Sequence, residues 1–323
     1  MLLAGAGRAI TPQAHAAPAI HPTVTGPPTA LRSERVIDRA SLEAWGVPRP
    51  SRLAFDAEGA LYVLDTGRRR LVKVGLDGTL LHEVALSGDD PANGIEPGDV
   101  LVDARGSVLV LDRASSSVLA YDKSGALLAT RPLASDLADE ARDPRSSLLQ
   151  DAFGRLWLLA ARERDLIRLD TSLARDRAGR FLTPEDSVGT PGTAVAAPDG
   201  AMWLADVATG ALRRFRPSGA LAGAAPLADS AAAAPARVTA LAADASGYIY
   251  AADRPGQRIL VFTADGVREL ERMLGGGTHP WRPAALAWSA GEDRLAAADP
   301  DRGEIQIFTI ERGAGTAVPA KSP

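Results

Sequence analysis

The sequence predicts an all-β protein, a six-bladed β-propeller built from four-stranded antiparallel blades. The first observation is a turn glycine between two short apolar runs that recurs along the chain, at Gly59, Gly106, Gly154, Gly200, Gly247 and Gly291. The successive spacings are 47, 48, 46, 47 and 44 residues. The second observation is that each copy holds about four apolar runs of strand length. A repeat in the forties with four strands per copy is typical of propeller blades.

The first strand of each copy is short and almost continuously apolar, as a strand covered on both faces by neighbouring blades requires. The predicted first strands are Leu53–Asp56, Val100–Asp103, Leu148–Asp151, Ala194–Ala197, Leu241–Asp244 and Ala285–Ser289. The predicted second strands are Leu61–Leu64, Val108–Leu111, Leu156–Leu159, Met202–Ala205, Tyr248–Ala251 and Arg294–Ala297. Large rings recur in the second strands, and we interpret them as packing between blades rather than as stacking on a ligand. They are Tyr62, Trp157, Trp203 and Tyr250.

The third strands alternate apolar and polar residues, and the outer strands have the weakest pattern, as exposed edges do. The predicted third strands are Leu71–Val74, Val118–Tyr121, Leu166–Leu169, Leu212–Phe215, Ile259–Phe262 and Ile305–Phe308. The predicted outer strands are Thr79–Leu86, Ala126–Leu133, Arg180–Leu182, Ala220–Leu227 and Val267–Leu274. No strand pattern follows Ile310, so the sixth blade lacks its outer strand. Residues 29–37 resemble an outer strand, and we predict that they pair with Ile305–Ile310 and close the ring.

The domain organisation follows from the repeat. The propeller is expected to span residues 29–311, between an Ala/Pro-rich leader (1–28) and a tail (312–323), both expected to be disordered. Ala14, His15 and Ala16 precede Ala17 and match the small-x-small cleavage rule of secretory signals. We therefore expect export to a bacterial periplasm or to the outside, with a cytoplasmic location as the alternative.

Composition narrows the classes of partner. The net charge of −4 and a pI near 5.7 give no electrostatic reason to expect nucleic acid as a partner. No apolar run approaches the roughly 20 residues that a transmembrane helix needs. Cysteine is absent, which excludes disulfides, thiolate metal sites and cysteine nucleophiles. We expect a monomer with no cofactor.

Two stretches of the chain share one pattern, DTGRRRLVKVGLDG at 65–78 and DRPGQRILVFTADG at 253–266. Each has an Asp, a short loop with Arg, an apolar strand and a Gly turn. This pattern resembles the NHL repeat. The resemblance implies a six-bladed propeller. It also implies a choice of function, because proteins that look like this include binding and scaffold modules, gluconolactonase-type hydrolases and amidating lyases.

The enzyme types that the resemblance brings in need particular side chains. The lyases need a cluster of histidines around a metal, and the propeller holds only His82 and His279. The gluconolactonase-type site needs amides, and Asn93 is the only asparagine of the chain. No catalytic triad or phosphate loop can be assigned from the sequence, and the nucleophile motif Gly-x-Ser-x-Gly is absent. The sequence therefore favours a protein that is not an enzyme, while a metal-dependent hydrolase or lyase with its site at the tunnel mouth remains the alternative.

An aspartate recurs after the second strand, at Asp65, Asp112, Asp206, Asp253 and Asp299. It has two interpretations. The five carboxylates could form an acidic ring that binds a cation, or each could accept backbone N–H groups of its own loop. We favour the second, since Asp commonly holds a loop in this way. Blade three departs from the pattern, with Ala160 and Ala161 in place of the Asp.

The loops that enter the first strands line one mouth of the central tunnel and are the best candidates for ligand binding. Arg52 and Asp99 stand at equal distances before their turn glycines in adjacent blades, so we predict that they pair at this mouth. Trp281 follows a triple glycine and suits a ligand, or it plugs the junction between blades. The predicted ligand-binding residues are Arg52, Asp99, Arg145, Arg237, His279, Trp281 and Arg282. The sequence thus predicts a binding or scaffold module for a protein, peptide or carbohydrate, acting through its loop face.

Overall fold

The computed structural model describes residues 26–86, 94–176, 189–227, 237–274 and 280–313. They form six antiparallel sheets, which are the blades of a six-bladed β-propeller. Strand β1 (Pro28–Ile37) and helix α1 (Arg39–Ala44) precede blade one. The expected leader lies outside the described residues up to position 25, and the expected tail from position 314 onward.

The strands follow one another in chain order within each blade, except in the last. Blade one contains β2 (Arg52–Phe55), β3 (Leu61–Asp65), β4 (Arg70–Val74) and β5 (Leu80–Val84); blade two contains β6 (Pro97–Val102), β7 (Val108–Asp112), β8 (Ser117–Tyr121) and β9 (Leu127–Pro132). Helix α2 (Ala138–Arg142) leads into blade three, with β10 (Ser147–Gln150), β11 (Leu156–Ala160) and β12 (Asp165–Arg168). The outer strand predicted at Arg180–Leu182 lies outside the described residues.

The second half of the ring repeats this order. Blade four contains β13 (Pro191–Ala196), β14 (Met202–Asp206), β15 (Ala211–Phe215) and β16 (Leu221–Pro226). Blade five contains β17 (Val238–Ala243), β18 (Ile249–Asp253), β19 (Arg258–Phe262) and β20 (Arg268–Met273). Blade six contains β21 (Ala285–Ser289), β22 (Arg294–Asp299) and β23 (Glu304–Arg312), with β1 as its outer strand.

The N-terminal strand closes the ring, as the sequence predicts. Strand β1 pairs antiparallel with β23, placing Leu31 opposite Ile310 and Ile37 opposite Ile305. Strand β1 begins at Pro28 and strand β23 ends at Arg312, so the propeller extends one residue beyond the expected bounds of 29 and 311 at each end. Closure removes the sheet edge that β23 would otherwise expose.

A buried arginine strengthens this closure. The Arg312 guanidinium donates to Asp244 Oδ2 at 2.7 Å and to Asp293 Oδ2 at 2.7 Å. Asp244 also accepts from the hydroxyl of Tyr250 at 2.9 Å. Blade five is thereby joined to the last strand of blade six by charge-assisted hydrogen bonds.

In the described part of the chain, the buried apolar residues form six clusters, one at each junction between neighbouring blades. The four recurring rings, Tyr62, Trp157, Trp203 and Tyr250, each belong to one of these clusters and are at most 3% exposed. The interpretation of these rings as packing between blades is confirmed. Within the described ranges, no helix has the length and apolar character needed to cross a membrane.

Two features differ from the sequence expectations. In blades one, two, three and five the first strand stops before its predicted terminal aspartate, because that side chain folds back to accept N–H groups of the next turn; Asp56, for example, accepts from Ala60 at 2.8 Å. The short helices α1 and α2 were not expected. Helix α1 starts at an Asp38 cap whose carboxylate accepts the N–H of Ser41 at 2.9 Å.

Candidate functional site

A tunnel runs along the axis of the propeller and encloses a cavity of about 380 Å³. First strands from all six blades line it. Each of these strands is the end strand of its sheet and is paired on one side only. The N–H and C=O groups of its free edge therefore face the tunnel, which gives the wall many hydrogen-bonding groups.

Arg52 and Asp99 meet where the tunnel opens on the side of the entry loops. Strand pairing aligns them, since Arg52 lies opposite Leu64 in blade one and Asp99 opposite the matching Leu111 in blade two. The Arg52 Nε lies 3.4 Å from Asp99 Oδ1, and both residues line the cavity. The predicted pair is confirmed.

Asp99 holds three blades together at this mouth. Its side chain is buried, with Oδ2 accepting the N–H of Leu148 in blade three at 2.9 Å and Oδ1 accepting that of Val100 at 3.0 Å. Burial raises the pKa of the Asp99 carboxyl, and the opposing effect of Arg52 and of these N–H groups only partly offsets it. A buried carboxyl with a perturbed pKa at a cavity mouth is a frequent feature of functional sites.

Arg113 is a member of this cluster that sequence reasoning missed. Its Nη2 donates to Gly98 O at 3.3 Å and to Pro144 O at 2.9 Å, so it bridges blades two and three. The guanidinium packs so closely on Gly98 that a Cβ there would lie 2.5 Å from Nε. Burial lowers the pKa of Arg113, and the charge of Arg52 lowers it further. The one sequence signal for this contact is Gly98, because a larger residue at this position would collide with the Arg113 side chain.

The remaining predicted binding residues lie at different places relative to the cavity. Arg145 lines the cavity, and its guanidinium is held by Asp143 through bonds of 3.0 and 2.8 Å. Arg237 and Arg282 are exposed on the entry loops of blades five and six, where their backbone N–H groups donate to Asp253 and Asp299. His279 lies outside the described residues.

Trp281 lies in the core at the junction of blades five and six. It is 2% exposed and packs in the cluster that contains Tyr250 and Phe308. Its Nε1 donates to Glu304 Oε2 at 3.1 Å. This is the plugging position that the sequence offered as the alternative to ligand binding, with the ring face covered by protein.

The recurring aspartates are structural, as favoured from the sequence. All five are buried, and each accepts N–H groups from its own loop and from the entry loop of the same blade; Asp65, for example, accepts from Arg68 and Arg49, both at 2.9 Å. The corresponding donors in the other blades are Glu96 and Ala114 for Asp112, Thr190 and Ala208 for Asp206, Arg237 and Gly256 for Asp253, and Arg282 and Asp301 for Asp299.

In blade three, Glu140 of helix α2 takes the place of this aspartate. Its carboxylate accepts the N–H groups of Arg162 and Glu163 at 3.0 and 3.1 Å. Both residues lie in the loop after Ala160. Burial raises the pKa of Glu140. Among the described residues, no three His, Asp or Glu side chains come together as a metal site.

No protein-family model matches the chain, and no curated protein matches it by sequence. Solved structures do match. A streptogramin B lyase aligns with a TM-score of 0.63 at 12% identity, over 87% of this chain and 97% of its own. Virginiamycin B lyase from Staphylococcus aureus has a TM-score of 0.62 at 14% identity, over 82% and 96%. Regucalcin, a calcium-binding protein from Agrobacterium tumefaciens, has a TM-score of 0.57 at 17% identity, over 83% and 92%. At these identities the likeness is one of fold.

Proposed function

We propose that this propeller is a non-enzymatic binding module that takes a protein, peptide or carbohydrate ligand on its loop face, with its contact centred on the tunnel mouth. The observation that carries the proposal is the pair of Arg52 and Asp99, 3.4 Å apart at the head of the cavity. The pair departs from the repeat, since the residue that matches Asp99 is Ser147 in blade three and Thr193 in blade four. Charges that break a repeat at a concave mouth are a reasonable place for recognition.

The repeated acidic residues support this choice by elimination. The aspartates after the second strands are occupied with loop N–H groups, so they are structural parts of the ring. Among the described residues that line this mouth, Arg52 keeps N–H groups for a ligand, while Arg145 is held by Asp143, and both lie beside the free edges of the first strands. The N–H and C=O groups of a strand edge can hydrogen-bond to peptide groups or to hydroxyl groups, which fits the proposed ligand classes.

The proposal is tested by a thermal-shift screen of the purified protein against peptides and sugars. Compounds that raise the melting temperature are then titrated against Arg52→Leu and, as a matched control, Arg105→Gln. Arg105 is an exposed arginine in the turn after β6, at the opposite end of the first strands. We expect Arg52→Leu to weaken binding at least tenfold and Arg105→Gln to leave it unchanged. Equal loss in both variants, or no shift with any compound, would contradict a site at this mouth.

The alternative of a metal-dependent hydrolase or lyase is distinguished by elemental analysis. The binding module is expected to carry no stoichiometric metal ion after purification without chelators. One calcium or zinc ion retained per chain would overturn the proposal in favour of the metal-dependent alternative.

A further inference from the structure

We propose that a ligand carboxylate binds Arg52 at the tunnel mouth and that Asp99 takes up a proton as this ligand binds. The inference rests on the proposed function and names the ligand chemistry of the same site. Its geometric basis is one guanidinium that is shared between a buried carboxyl group and an open cavity.

Arg52 has donors to spare. A guanidinium carries five N–H groups. In the described part of the chain, Nε lies 3.4 Å from Asp99 Oδ1 and Nη1 donates to Ser51 O at 2.9 Å, which leaves three N–H groups on Nη1 and Nη2. The side chain is 33% exposed and lines the cavity, so these donors are within reach of a ligand. Arginine and carboxylate match in shape, with two parallel hydrogen bonds.

The surroundings of Arg52 favour a polar ligand over a hydrocarbon chain. The free strand edges present N–H and C=O groups along the wall, and Ser147 and Thr193 line the cavity at the positions that match Arg52 in blades three and four. A carboxylate flanked by amides or hydroxyls satisfies such a wall. The carboxyl terminus of a peptide and a sugar acid share this chemistry.

Proton uptake follows from the charges around Asp99. Arg52 faces it from blade one and Arg113 from the loop after β7, and together they compensate its buried charge. Arg145, at the same mouth, is already paired with Asp143. A ligand carboxylate on Arg52 brings a second negative charge close to Asp99 and takes part of its compensation. The protonated form of Asp99 is thereby favoured in the complex.

The test is isothermal titration calorimetry with acetylglycylglycine, its carboxyl-terminal amide and glucuronate as probes. Titrations run in two buffers of different ionisation enthalpy at about pH 5, one unit above the ordinary pKa of Asp of about 3.9. We expect one or both acids to bind and the amide to bind at least tenfold more weakly. The heat should depend on the buffer, corresponding to uptake of between zero and one proton per site. Comparison of the two acids identifies the source of the carboxylate.

Three variants sharpen the result. Asp99→Asn should bind the acid with heats independent of the buffer. Arg52→Lys keeps a charge beside Asp99, loses the two-bond geometry and should bind several-fold more weakly, while Arg105→Gln should behave as the parent. Circular-dichroism melts establish that each variant is folded.

Two outcomes overturn the inference. Buffer-independent heats with the unmodified protein exclude proton uptake, and equal binding of acid and amide excludes a carboxylate site. If neither acid binds while other compounds shift the melting temperature through Arg52, the inference is wrong and the proposed function stands. If nothing binds, both are wrong.

Discussion

At Ala160, blade three lacks the aspartate that ends the second strand in every other blade, and a carboxylate from helix α2 takes its place. Glu140 comes from helix α2, before the blade begins, and accepts two N–H groups of the loop after Ala160. Because Arg162 and Glu163 are exposed residues, each of these hydrogen bonds should contribute about 0.5–1.5 kcal/mol. The need of these donors, rather than the position of the residue in the repeat, explains why an acidic side chain is buried here.

Replacement of Glu140 should destabilise the protein. Glu140→Ala removes the protein acceptor of the Arg162 and Glu163 N–H groups, which water can partly replace, and we expect a loss of about 1–3 kcal/mol in the free energy of unfolding. Glu140→Gln keeps one acceptor and should lose less. The adjacent, exposed Asp139→Ala is the control and should stay within about 0.5 kcal/mol. Denaturant unfolding measures all three, and equal effects at positions 139 and 140 would contradict the role of Glu140.

Trp281 is expected to matter for stability. Trp281→Ala removes a buried ring from the junction of blades five and six, which should cost about 3–5 kcal/mol. Trp281→Phe keeps most of the packing, loses the bond to Glu304, and should cost about 1–2 kcal/mol. Thermal and denaturant melts are the measurement. Unchanged melting together with lost ligand binding would return Trp281 to the list of binding residues.

Individual residues were predictable where they follow the repeat. The pairing of Arg52 with Asp99 follows from their equal offsets before the turn glycines, because equal offsets place residues at one level of neighbouring blades. The contacts of Arg113 and Glu140 join loops or helices that have no fixed offset in the repeat. Such contacts depend on how the loops pack, and a periodic pattern carries no information about that.

Among the elements, strands were predictable and short helices were not. Alternation and turn chemistry mark a strand within a few residues. Helices α1 and α2 have 6 and 5 residues, too few for a helical period to show, and packing against the sheets stabilises them. The observed strand ends differ from the predicted ones at Asp56 and its counterparts. There the side-chain carboxylate accepts N–H groups of the next turn, and this ends the strand one residue earlier.

The closing strand β1 offers a matched pair of substitutions. Leu31 is 2% exposed and packs in the cluster at the junction of blades five and six, whereas Val36 on the same strand is 50% exposed. Leu31→Ala should lower the free energy of unfolding by about 2–4 kcal/mol because it opens a cavity. Val36→Ala should change it by less than about 1 kcal/mol. Similar losses by denaturant unfolding would mean that β1 contributes no specific core packing.

At the scale of the whole molecule, the two ends of the ring lie side by side. Pro28 is opposite Arg312, and the N–H of Gly313 donates to Pro27 O at 2.9 Å. The start of β1 and the end of β23 are therefore placed as the two arms of an antiparallel hairpin. Blade six has four strands like most of the other blades, but its outer strand β1 is not joined to β23 by a loop.

A circular permutant makes use of this geometry. The permuted chain begins at Asp38, continues through Gly313 and returns by a short glycine linker to Pro28–Ile37. We expect its unfolding free energy to stay within about 2 kcal/mol of the parent, with faster refolding, because the closing pair becomes local. Stopped-flow refolding and denaturant unfolding test this. A permutant that refolds more slowly, or associates as concentration rises, would contradict the placement of β1.

The pairing of β1 with β23 also sets an order in time. On the ribosome, β1 is made early, and its partner is complete only after Arg312, which is 275 residues after Ile37. At about 5–20 residues per second, this interval lasts roughly 14–55 s. During it, β1 has no native partner strand, and each new blade leaves one face without its neighbour. Until the last strand is synthesised, the nascent chain therefore exposes apolar blade faces and an unpaired strand, which are prone to aggregation.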